Sequence, residues 1–247
     1  MNLFRLLRVE ISKTRNSQAV LMTLLCPLAV VLLQLLVAVE SDGKFIREKG
    51  WQLYWLSTLS LWYSFMLPLY IALVTCLVNA IEHKNHGWRL MAMMPLSRYQ
   101  LFLAKALVSA LLVVLATLWM YLTTWLSIGL LTLLGITHPE PFQWQVVQSL
   151  LPVLICCLPI LIIGHAISWL SASLVPPLAV GVCMTMAAMT VGRSEQYWRF
   201  DPWTYPMITA MVQDPAAQQL AQLLGASVGL ALLLLTCWYC GQKQVDS

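Results

Sequence analysis

Charge is almost absent from most of this chain, and its few charged residues are bunched. Five long windows carry no Asp, Glu, Lys or Arg: 16–39, 50–81, 106–139, 141–192 and 215–242. A bilayer core needs about 20 consecutive apolar residues per helix, so each window can hold a membrane span. The 52-residue window at 141–192 is long enough for two. The run from Ser171 to Pro177 supplies the turn between them, because adjacent prolines remove backbone donors and block helix continuation. Six spans follow, near 19–39, 56–80, 101–131, 147–170, 176–192 and 218–240. These segments are apolar all round, whereas a helix of a soluble domain needs a polar face. A composition 60% hydrophobic and 10% charged, with a mean hydropathy of +0.77, excludes an ordinary soluble fold. The first apolar run lacks a small-residue cleavage site before Glu40, so it reads as a span and not as a signal peptide. The fold class is therefore all-α, a polytopic membrane protein forming one transmembrane domain over 1–247.

Orientation follows from Lys and Arg in the connecting segments. With the N-terminus inside, nine fall on the inner side (Arg5, Arg8, Lys13, Arg15, Lys84, Arg89, Arg98, Lys105, Lys243) and five outside (Lys44, Arg47, Lys49, Arg193, Arg199). Both termini are expected in the cytoplasm, in a bacterial inner membrane. The net charge of +4 belongs to these flanks and carries no nucleic-acid partner. All seven cysteines lie in expected spans, where they serve as small apolar residues.

Three segments outside the spans stand out. Residues 1–18 can form an amphipathic helix in the membrane interface, with Leu3, Phe4, Leu7 and Ile11 on one side, or can simply be a basic flank that orients the first span. The segment 82–100 is too long and too charged for a simple hairpin. Trp88, Met91 and Met94 recur at helical spacing up to Pro95, which ends that helix. Ser97 and Gln100 then form a capping box for the third span, with Leu96 and Leu101 as its staple. Residues 193–214 interleave Tyr197, Trp198, Phe200, Trp203 and Tyr205 with prolines, as an aromatic belt or a short element dipping back into the membrane.

Candidate chemistry is sparse. Gly225-Ala226-Ser227-Val228-Gly229 matches a nucleophile-elbow pattern, but that elbow needs a strand before the serine, so Gly225 and Gly229 read as a close helix-packing face. His165 is ionisable at membrane depth and serves either a functional role or a hydrogen bond to a neighbouring helix. The Cys237–Cys240 spacing lacks thioredoxin-like surroundings, and Glu82, His83 and His86 make a poor metal site on an open connection, so no metal and no catalytic residue is assigned. No G-x-x-x-x-G-K-[ST] occurs, so ATP is not bound through a P-loop.

Three stretches resemble the membrane subunits of type-2 ABC exporters, particularly the bacteriocin and lantibiotic self-immunity branch. They are Glu10 to Ser17 before span one, Glu82 through Trp88-Arg89 and Met94-Pro95-Leu96-Ser97-Arg98 to Lys105, and Asp201-Pro202-Trp203-Thr204-Tyr205-Pro206 before the last span. The resemblance implies an elbow helix over 1–18 marked by Glu10 and Lys13. It implies a coupling helix at 83–94 that docks on an ATPase through Glu82, Trp88, Arg89, Met91, Met94, Pro95 and Arg98. It also implies a re-entrant outer gate at 193–214 built on Trp198, Trp203 and Tyr205. The implied partners are an ABC ATPase subunit, which would hold ATP and magnesium, a second permease copy or paralogue, and the bilayer.

The function these features favour is export of an amphipathic substrate, such as an antimicrobial peptide or drug, driven by a separate ATPase. Polar residues in the spans, among them Gln34, Asn79, Thr123, Thr124 and Gln148, include no carboxylate, which argues against an ion-coupled carrier. An integral-membrane enzyme using His165 or Ser227 is the alternative that needs no ATPase. A non-transporting scaffold or sensor would bind a partner through 82–100 without moving cargo.

Overall fold

A computed structural model describes residues 3–84, 97–139, 150–171 and 173–242, and among these the regular structure is entirely helical. Helix α1 (Leu3–Thr14) lies against the first turns of α6 (Arg98–Leu133), where Leu6 packs with Leu101, Ala104 and Trp169. The first long apolar helix, α2 (Gln18–Glu40), follows after three residues and runs away from that end. Ser17 caps it, its Oγ accepting from the Ala19 N–H at 3.2 Å.

At the far end the chain turns through Asp42 and Gly43, both at positive φ, into the short α3 (Lys44–Lys49). Any side chain at Gly43 would also run into Ile136. Ala38, Ile46, Trp51, Tyr54, Leu131 and Ile136 close over this turn as a separate apolar cluster. The second apolar stretch descends as α4 (Trp51–Leu61), one π-helical turn (Trp62–Met66) and α5 (Leu67–Lys84). The π-turn places Trp62 and Tyr63 in the main core with Trp55, Tyr70 and Met120, and the buried hydroxyls pair off: Tyr63 with Tyr121 at 2.8 Å, Tyr70 with Thr23 at 2.7 Å.

Helix α6 rises over 36 residues. Its start at Arg98 agrees with the sequence, but the capping box is absent: Ser97 stands at the cap position, yet its hydroxyl has no hydrogen-bond partner. Next come α7 (Leu150–Cys156) and α8 (Leu158–Leu170), bent by 40° at Cys157. Pro159 explains the break, since it lacks an N–H and its ring clashes with the carbonyl four residues back. Helix α9 (Val175–Val191) begins with Pro176 and Pro177 in its first turn, where a missing N–H costs little. The two prolines therefore open this helix and do not make the turn before it. After two 3-10 turns, Tyr197–Phe200 and Pro202–Thr204, come α10 (Tyr205–Met211) and the last long helix, α11 (Pro215–Gln242).

Four stretches among the described residues are long and apolar enough to cross a membrane, namely α2, α4 to α5, α6 and α11, and the bent α7–α8 pair makes a fifth. The 17-residue α9 is shorter, at the low end of the ~17–25 residues a span requires. Leucines of α2, α6 and α11, such as Leu33, Leu122 and Leu234, point outward, as expected for helices whose solvent is lipid.

Candidate functional site

Among the described residues, the deepest charges lie where α1 crosses the foot of α6. The face α1 turns to the bundle carries Leu6, Glu10 and Thr14, at i, i+4 and i+8. It is not the stripe through Phe4 and Ile11, whose side chains are exposed on the other side, where an interfacial helix meets lipid. Glu10 is 1% exposed and Lys105, two turns into α6, is 0% exposed. Lys105 Nζ donates to Glu10 Oε2 at 2.6 Å, and Lys13 Nζ donates to Oε1 of the same carboxylate at 3.0 Å. Lys105 Nζ also reaches the Val78 carbonyl of α5 at 3.4 Å. One carboxylate thus ties together α1 and α6, and its ammonium partner ties in α5.

A neutral network continues from that point. Asn79, next to Val78, donates through Nδ2 to the Thr75 carbonyl and to His165 Nδ1, each at 2.9 Å. His165 Nε2 donates to the Phe102 carbonyl at 3.1 Å, so both ring nitrogens are engaged and the hydrogen-bond pattern requires the neutral Nε2–H tautomer. The imidazole lies between the Phe102 and Trp169 rings, at centroid distances of 4.5 and 6.2 Å. His165 therefore belongs to the α1 end of the bundle, not to its middle. Ser227, the other residue of the enzyme alternative, is exposed on α11 and donates to the Leu223 carbonyl, so the two are not partnered with each other.

Of the residues expected to couple to an ATPase, Arg98 is exposed at the foot of α6. Trp88, Arg89, Met91, Met94 and Pro95, with His86 and the side chains of Glu82 and His83, lie outside the described residues, as do residues 85–94 of the expected 83–94 helix and the Leu96 staple. The pairing of Glu10 with Lys105 was not foreseen, although both residues had been singled out separately. The signal for it is a lone acid at the i+4 position from Leu6 on an otherwise basic helix.

At the far end, residues 197–211 fold into a compact hairpin packed among α4, α7 and α11. Trp198, Trp203 and Tyr205 are all buried, while Tyr197 and Phe200 between them project outward. Asp201 Oδ1 accepts from the Trp203 N–H at 3.0 Å, and Tyr205 OH donates to the Arg199 carbonyl at 2.7 Å. Thr209 of α10 meets Cys156 of α7 at 3.1 Å between Oγ1 and Sγ. Burial raises the Asp201 carboxyl above its usual range, with the Trp203 N–H partly opposing the shift. Its Oδ2 is buried without a partner. Gly225 and Gly229 of α11 face the α7–α8 break: a Cβ would lie 2.8 Å from Cys156 Cα in the first case and 2.6 Å from Leu158 Cβ in the second.

No curated protein and no solved structure matches the chain. The family model described as ABC-2 family transporter protein does match, over residues 6–188, a stretch that runs from α1 through α9 and includes Glu10, Lys105 and His165. With well over half its length matched and long apolar helices built to span a bilayer, this chain belongs to the ABC-2 transporter family, as a membrane permease subunit.

Proposed function

We propose that this subunit is an exporter permease that moves an amphipathic substrate, such as an antimicrobial peptide or drug, across a bacterial inner membrane, with both termini in the cytoplasm. It crosses the membrane six times, counting the bent α7–α8 pair and α9 as one span each. A separate ABC ATPase, with its ATP and magnesium, docks from the cytoplasm on the 82–100 segment through Glu82, Trp88, Arg89, Met91, Met94, Pro95 and Arg98. A second copy or a paralogue completes the pathway, and the hairpin bearing Trp198, Trp203 and Tyr205 serves as a re-entrant outer gate.

The observation that supports coupling most directly is the 2.6 Å contact between Glu10 and Lys105. Helix α6 starts at Arg98, immediately after the segment expected to bear the ATPase, and Lys105 lies two turns further on. A push on that segment moves the foot of α6. The buried ion pair then carries α1 with it, because separating the charges in a low-dielectric setting is costly.

Trp88 is the expected interface anchor. Truncating a buried aromatic anchor costs about 2 kcal/mol, roughly 30-fold in Kd. Trp88→Ala, and Pro95→Ala at the helix stop, are therefore expected to reduce co-purification of the ATPase or to uncouple hydrolysis from transport, with membrane insertion unchanged and Lys84→Ala nearly silent. Normal partner binding together with normal ATP-driven cargo movement in Trp88→Ala would refute the docking role.

A further inference from the structure

The far end of the bundle holds a cavity of about 560 Å³ between the turn after α9, the hairpin and the head of α11. Its rim carries two cations, Arg193 and Arg199, and two carboxylates, Glu195 and Asp214; Trp198 and Leu220 contribute apolar wall. None of these four charges forms an ion pair with another. Arg199 lies over the Trp198 ring at 5.9 Å, and Asp214 uses Oδ1 to accept the Ala216 N–H at 3.0 Å at the start of α11. Four unpaired charges that sum to zero around an apolar wall suit a ligand with one anionic and one cationic group, not a simple anion or cation.

The surroundings indicate where such a ligand comes from. Below Leu220, helix α11 presents Leu223, Leu230 and Leu234, all more than half exposed, which form an apolar track leading from the cavity along a helix long enough to span the bilayer. On the hairpin, Tyr197 and Phe200 project outward at 66% and 83% exposure, as aromatic side chains do at a membrane surface. A cavity of this volume is within the size range of small-molecule sites.

We propose that this cavity binds the phosphoethanolamine headgroup of a membrane phospholipid. Arg193 and Arg199 hold the phosphate through charge-assisted hydrogen bonds. Glu195 and Asp214 accept from the primary ammonium, and the acyl chains follow the leucine track of α11. A choline headgroup has no N–H to donate, so the site discriminates between the two lipids. This assignment requires only that the chain spans a membrane, and it stands or falls independently of the ATPase and the cargo.

The test is native mass spectrometry of the full chain taken from nanodiscs containing equal phosphatidylethanolamine and phosphatidylcholine in a phosphatidylglycerol background. The wild type is expected to retain phosphatidylethanolamine about tenfold over phosphatidylcholine, on the scale of hydrogen bonds to charged groups. Glu195→Gln with Asp214→Asn, which keeps an oxygen for the Ala216 N–H, should bring that ratio to about one. Arg193→Gln with Arg199→Gln should lose both lipids, whereas Lys at both positions should retain binding. Equal retention of the two lipids by the wild type would overturn the proposal, and that comparison depends on no variant folding. Undiminished preference in the Arg→Gln pair would overturn it too. Displacement of the lipid by an equal concentration of soluble O-phosphoethanolamine would overturn the lipid as occupant and leave a soluble zwitterion in its place.

Discussion

At the α1 end a carboxylate and an ammonium are buried 2.6 Å apart with a second ammonium alongside, whereas at the far end the hairpin is held by an amide, three hydroxyls and a single carboxyl with one oxygen unpaired. The first arrangement is all-or-none: either partner alone is an uncompensated charge, so α1 has one well-defined seat on α6. The second is graded, because each neutral hydrogen bond contributes only about 1 kcal/mol net and can be exchanged for another. Under the function proposed above, the first arrangement would transmit a displacement without slipping and the second would let the outer end open. The same contrast appears in the helices, since α1 is locked by charge while α11 meets the α7–α8 break through glycine contacts.

The largest expected effect is at the charged end. Lys105→Met leaves Glu10 buried with only Lys13, and should destabilise the fold by about 3–5 kcal/mol. Adding Glu10→Gln should recover most of that loss, as read from unfolding midpoints in detergent. A double variant as unstable as the single one would show that the α1 seat is set by packing alone, and the contrast between the ends would collapse.

Next come the glycines. Gly225→Leu forces a side chain onto the Cys156 backbone and Gly229→Leu onto Leu158 and Pro159, each at an overpacking cost of about 1–3 kcal/mol. Both variants should insert normally yet unfold at lower temperature. Unchanged midpoints would mean that α11 can slide outward freely.

The smallest effect lies at the far end. The Asp201 carboxyl is raised in the folded protein, so the stability its protonated form contributes is fully present below the unfolded value and is lost as pH rises through the folded value. Asp201→Asn keeps an oxygen for the Trp203 N–H and does not titrate. It should match the wild type at acid pH and exceed it slightly at neutral pH, by less than about 1 kcal/mol. An unfolding midpoint for Asp201→Asn below that of the wild type at neutral pH would identify the carboxylate as a stabilising charge and make the two ends alike.

Much of the helical layout could be read from where charge is missing. Helix α2 occupies 18–40 against an expected 19–39, α6 occupies 98–133 against 101–131, and α11 occupies 215–242 against 218–240. The π-turn at Trp62, the break at Cys157 and the short α3 were not anticipated, since each arises from packing or from one backbone clash inside a stretch whose composition is uniformly apolar. Which side of α1 packs on the protein could not be read from its sequence: the buried side carries Leu6, Glu10 and Thr14, while Phe4 and Ile11 stay exposed, as expected of a helix in the membrane interface.

By itself, the sequence determined that this chain lives in a membrane as a set of helices. A charge in hydrocarbon is so costly that charge-free length alone marks the spans. The absence of a P-loop likewise could be read directly. Only the tertiary structure decided which distant groups meet. Glu10 and Lys105 are 95 residues apart, and Asn79 and His165 are 86 apart. No local pattern encodes those contacts, because they depend on how whole helices stack. The same holds for the cavity at the head of α11, whose four rim charges come from three separate elements and form one site only after the hairpin has packed beneath them.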